Sequence, residues 1–119
     1  MATALDVVTW ACGKRLREAD FAPTASETEL GLRELNNMLA GWSIEGIDLA
    51  HVTLISTDDV DVPDDHLQAV VLSLAERLTD FGGSLDPSDI QRAEQGRMAL
   101  RAYHFTISEL GGEHPLSQS

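Results

Sequence analysis

At 119 residues, with 20 acidic against 8 basic side chains, the chain has room for one domain with a modest core and a net charge of −12. That balance argues against direct gripping of a phosphate backbone by residues 44–119, where fourteen acids face four bases. A single cysteine, Cys12, excludes an internal disulfide and argues against a cysteine-based zinc site, and no apolar run nears the ~18 residues that span a bilayer.

The first helix is expected from about Thr3 to Glu18, with Thr3 as N-cap and Leu5, Val8, Cys12 and Leu16 on one stripe. Its charges follow the apolar stretch, the reverse of a signal peptide, so export by that route is not expected. Lys14, Arg15 and Arg17 form the one basic cluster, placed to complement the negative end of the helix dipole. The second helix begins after Pro23, where Thr24 and Glu27 fit a capping box; Leu32, Leu35, Leu39 and Trp42 then recur at helical spacing, with Met38 beside them. Trp10 and Trp42 are both core candidates on spacing, although Trp10 lies off the main stripe of the first helix and is alternatively an interface anchor.

After the turn at Gly46, "IDLAHVTLI" (Ile47 to Ile55) is rich in β-branched residues and reads as a short strand or extended arm. A third helix opens at "VPDDH" and runs to about Phe81, with Leu67, Val70, Val71, Leu74, Leu78 and Phe81 as its stripe and "FGG" as its stop. "DPSD" starts the fourth, with Asp86 as N-cap and Pro87 at the first helical position. Its stripe of Ile90, Ala93, Leu100 and Tyr103 is thin, the mark of a helix only partly packed within its own chain. From His104 the sequence alternates briefly and then dissolves into Gly, Pro and Ser. The expected organisation is therefore all-α: a bundle of about four helices over residues 1–103, with an extended arm between helices 2 and 3. Residues 104–119 form a flexible C-terminal tail that orders on a partner.

The stretch "ISTDDVDVPDDH" (Ile55 to His66) invites a metal reading that its spacing does not support. A calcium loop begun at Asp59 has Asp61 third but Pro63 fifth, Asp64 sixth and Val70 twelfth; begun at Asp61 it has Pro63 third and Leu72 twelfth. Proline and first-turn carboxylates explain Asp64 and Asp65, with Asp61 a possible cap; Asp58 and Asp59 are left for a solvated loop or a partner-facing patch. His51, His66, His104 and His114 lack the spacing of a helical metal pair, and no nucleophile elbow or phosphate loop is present. Neither a catalytic constellation nor a cofactor or metal site is expected, and an enzyme is not the favoured class.

Taken together, "LNNMLAGWSIEGIDL" (Leu35 to Leu49), the acidic loop, "VPDDHLQAVVLSLAERLTDFGG" (Val62 to Gly83) and "A..G...LRAY" (Ala93 to Tyr103) resemble the head-to-tail connector proteins of tailed bacteriophages, also called tail accessory factors or packaged-DNA stabilisation proteins. The resemblance implies an all-α structural virion protein, located at the head-to-tail interface and in the host cytoplasm during assembly. Such an adaptor forms a ring, typically of about twelve copies, under the portal; it extends the DNA channel, helps retain packaged DNA and offers the docking surface for the next tail or head-completion protein. Its partners would be the portal, other copies of itself and that next protein, with DNA passing without specific binding and no membrane involved. A negatively charged ring would let DNA pass, since like charges repel. On charge complementarity, Lys14, Arg15 and Arg17 are expected to meet Asp58, Asp59 and Asp61 of a neighbouring subunit. Tyr103, Phe105, Ile107 and Leu110 are the expected portal contacts. Two other classes compete: a small acidic intracellular regulator that binds a protein through its tail, and a divalent-ion-binding protein that uses the Asp58–Asp65 loop.

Overall fold

A computed structural model describes residues 2–18, 20–47, 53–60 and 62–111, with the side chains of 64 and 104–111 outside that description. It is all-α. Four helices follow one another, α1 (Ala4–Leu16), α2 (Ala25–Ile44), α3 (Asp64–Arg77) and α4 (Pro87–Gly111), with one 3-10 turn at Thr79–Phe81 after α3. Among the described residues there is no strand, only an isolated antiparallel bridge between Thr3 and Asp59.

Both expected N-terminal caps form. Thr3 and Asp6 exchange backbone-to-side-chain hydrogen bonds of 3.1 and 3.2 Å, and Thr24 and Glu27 do the same at 2.8 and 3.2 Å, so each box satisfies two otherwise orphaned amides. The C-terminus of α2 closes by a Schellman arrangement. Gly46 turns the chain at φ +93, and the Ile47 amide donates to the Trp42 carbonyl at 2.9 Å. Ile47 thereby plugs the end of the bundle, fully buried, instead of opening a strand.

α3 is the central helix. Seven consecutive residues, Ala69 to Ala75, are buried, so it is enclosed on every side rather than along the one stripe that periodicity suggests. It packs against α1, α2 and α4. The second covering comes from α4, whose Gly96 sits where an added Cβ would lie 2.5 Å from that of Ala69. Gly31 allows the matching approach between α2 and Val8 of α1. Buried Ser73 is satisfied by the guanidinium of Arg97, which reaches Ser73 Oγ at 2.9 Å and Glu76 Oε1 at 2.8 Å.

Two expectations need correction, the inward face of α1 and the end of α4. The buried face of α1 is Ala4, Val7, Val8, Ala11 and Cys12, while Leu5 is 38 % exposed. Small residues face inward because α1 is pressed between α2 and α3, which rotates the stripe off Leu5. The N-cap of α3 is Pro63, with no side-chain capping bond, and Asp61, the possible cap, lies outside the described residues. Asp86 holds the expected N-cap position of α4: Pro87 is the first helical residue and the Ile90 amide donates to the Asp86 carbonyl at 3.1 Å, while the Asp86 carboxylate accepts from Arg17 at 2.8 Å. And α4 does not end at Tyr103: its backbone stays helical to Gly111, because no Gly or Pro interrupts residues 97–110 and the first breaker is Gly111 itself. Residues 48–52, within the expected strand, and 112–119, within the expected tail, lie outside the described residues.

Candidate functional site

The oppositely charged clusters of the sequence occupy opposite ends of α1, a helix whose thirteen residues span roughly 20 Å. At its N-terminal end runs the acidic loop. The carbonyls of Asp58 and Ser56 accept from the Ala4 and Leu5 amides at 2.8 and 3.0 Å, and the Val60 amide donates to Ala2 at 2.9 Å. The loop thus covers first-turn amides of α1 that no helical partner can satisfy. Val60 and Val62 are buried and anchor it, while Asp59, the bridge residue beside Val60, is exposed. Asp58 Oδ2 accepts from the Ile55 amide at 2.8 Å, closing the turn that precedes the bridge. Asp61 lies outside the described residues.

The other side of the loop is held by a residue that composition did not single out. Asn36 donates to the Leu54 carbonyl at 3.1 Å and accepts from the Leu54 amide at 2.8 Å, so its side-chain amide pairs with the backbone as a neighbouring strand would. Its presence in "LNNML" on an apolar stripe is the one signal that could have flagged it: a half-buried amide on a helix needs partners.

At the C-terminal end the three basic residues have three different fates. Arg15 donates to the carbonyls of Gly82 (2.7 Å), Ala75 (3.0 Å) and Gly83 (3.4 Å). It therefore complements the C-terminus of α3, a neighbour, rather than only its own helix. Arg17 sits in the left-handed region at φ 59 and pairs with Asp86 at 2.8 Å. Lys14 is exposed and has no ion pair among the described residues. Of the expected subunit contacts on this side, Lys14 is the one still uncommitted. Between the two ends, Cys12 is buried, and desolvation followed by the charge of Glu27 pushes its thiol up to about 11. It is neutral at physiological pH and inert. The raised value also means that its contribution to stability is complete below about pH 9 and is lost as pH climbs toward 11.

Beside the basic cluster, α1, α3 and the start of α4 enclose a surface cleft of about 500 Å³. Trp10, 47 % exposed, forms one wall; Asp86 and Asp89 line another, and Val71 and Gln68 of α3 complete it. Trp10 is thus off the core, whereas Trp42 is buried in it. Among the expected portal contacts, Tyr103 stacks on His66 with ring centroids 5.1 Å apart, and the side chains of Phe105, Ile107 and Leu110 lie outside the described residues on the helical end of α4.

Among the described residues, no three His, Cys, Asp or Glu side chains come together as a possible metal-ligand set, and no helix is long and apolar enough to cross a membrane. No family model matches the chain, and no curated protein matches it.

Proposed function

We propose that this protein is a head-to-tail connector of a tailed bacteriophage: a structural adaptor that assembles as a ring of copies under the portal, continues the DNA channel and receives the next tail component. The observation that carries the reading is the reach of α4. It is the longest helix, with 25 residues, and runs eleven residues past Leu100, the last of its buried side chains among the described residues. A helix that extends well past its last described buried side chain is suited to docking on another protein, and its end carries Tyr103, Ile107 and Leu110 at i, i+4 and i+7, the spacing that a groove reads. The net charge of −12 supports the same role, since a channel wall of that sign repels DNA in transit.

The test is negative-stain microscopy of purified portal from the same genome, with and without this protein. A second ring of density beneath the portal is expected, and a chain truncated after Ala102 should fail to add it. The truncated chain keeps Ala93 and Leu100, the buried anchors of α4, so its fold should survive. Bare portals at saturating concentrations of the full chain would refute the connector role. A truncated chain that still docked would move the portal contact elsewhere.

A further inference from the structure

We propose that the cleft between α1, α3 and the first turn of α4 is a receptor for an arginine side chain presented by a partner polypeptide. The inference stands apart from the connector reading, because it rests on the chemistry of the cleft alone. Three features carry it. Trp10 offers an indole that is 47 % exposed on a cleft wall. An aromatic face left in water beside carboxylates attracts a cation, and a planar guanidinium stacks on it better than an ammonium does.

The second feature is Asp89, whose side chain is only 10 % exposed although it lines the cleft. Its Oδ1 accepts from Arg92 of its own helix at 2.8 Å, and that is its one ion pair among the described residues. A neutral or apolar occupant would remove the remaining water from this carboxylate without replacing its hydrogen bonds, which is costly; a guanidinium replaces them with charge-assisted ones. The third is Asp86 on the rim. Its bridge to Arg17 joins side chains that are 56 % and 62 % exposed, a pairing weak enough to be exchanged for an incoming arginine. An anionic occupant is disfavoured, since Glu18, Asp86 and Asp89 outnumber Lys14 and Arg17 around the cleft.

The arginine must come from another molecule. Of the eight basic residues, Arg15, Arg17, Arg77, Arg92, Arg97 and Arg101 are held by hydrogen bonds or ion pairs within the chain, Lys14 is itself on the rim, and Arg33 belongs to α2, which contributes no wall to the cleft. A strongly acidic protein draws basic partners from a distance. The cleft gives that attraction a place to end.

The experiment is a titration of the ¹⁵N-labelled full chain, following the Trp10 indole N–H, with the buried Trp42 indole as internal reference and Trp10→Phe for assignment. Three capped tripeptides are compared, Gly-Arg-Gly, Gly-Lys-Gly and the uncharged isostere Gly-citrulline-Gly, together with spermidine. The Trp10 signal should move and saturate with the arginine peptide, less with lysine, and not with citrulline. Asp89→Asn should weaken arginine binding at least about tenfold, whereas Asp59→Asn, the same charge change at the far end of α1, should leave it unaltered. Trp10→Leu, a change on an exposed wall that leaves the core intact, should weaken it as well, read through the backbone amides of Gly13 and Asp89 in the cleft because the indole is gone, and so covers the case in which Asp89→Asn fails to fold. An unmoved Trp10 signal, equal binding of citrulline or spermidine, or equal losses from Asp59→Asn and Asp89→Asn would each overturn the assignment.

Discussion

At the N-terminal end of α1 the covering group is backbone: carbonyls of Ser56 and Asp58 meet the first amides, while the Asp58 carboxylate closes the loop's own turn and Asp59 is exposed. At the C-terminal end it is a side chain: one guanidinium, Arg15, gathers three carbonyls from the end of α3 and the Gly82–Gly83 turn. Each end supplies partners to a helix terminus whose polar groups lack them, that of α1 itself in the first case and that of the neighbouring α3 in the second. They differ in which residues can change. A backbone cover tolerates substitution of its charged side chains and depends on whatever anchors the loop. A side-chain cover depends on one residue and on the turn that meets it.

That contrast can be broken or sharpened by substitution. The largest effect is expected from Gly83→Ala. Gly83 sits at φ +65, and an added Cβ would run into the Arg15 carbonyl, so the turn must move away from α1. A loss of about 3 kcal/mol is expected in urea melts, from left-handed strain plus overpacking. Arg15→Ala should follow with about 2 kcal/mol, since three carbonyls lose a charged donor, and Arg15→Lys should recover little because an ammonium cannot span them as a fork. If lysine restored full stability, the residue would be acting as a point charge on the helix dipole.

At the other end, Val60→Ala should cost about 1.5–2 kcal/mol through the buried methyl groups that anchor the loop. Hydrogen exchange at the Ala4 and Leu5 amides should rise with it. Asp59→Asn and Lys14→Ala, both exposed, are expected within about 0.5 kcal/mol of the parent. A loss at Asp59 as large as at Val60 would mean that the carboxylates, not the backbone and its valine anchors, hold the loop in place.

Elements set by local chemistry were legible in the sequence. Thr24 with Glu27 and Thr3 at the head of α1 are capping signals whose partners lie within three residues, and Pro87 opens α4 by its own fixed φ. What the sequence hid depends on groups distant in the chain. Leu5 faces water because α1 must present its small residues to two neighbours, which no periodicity within thirteen residues reveals. Arg15 looked like a complement to its own helix dipole, and its partners are 60 to 68 positions away. Asn36 gave almost no signal, since its partner Leu54 lies 18 positions away, beyond the end of α2. The acidic stretch itself divided cleanly. Its second half starts α3, and its first half is a backbone cover whose alternating Val60 and Val62 point into the core. The expected pairing of Lys14, Arg15 and Arg17 with a neighbour's aspartates is narrowed accordingly, because two of the three cations already have partners in their own chain.

The most direct test of the connector proposal is stoichiometry on the portal, read by native mass spectrometry of the assembled complex. One copy of this chain per portal subunit is the expected result, with that ratio lost on truncation after Ala102. A portal that retains no copies, or a single copy per ring, would contradict it.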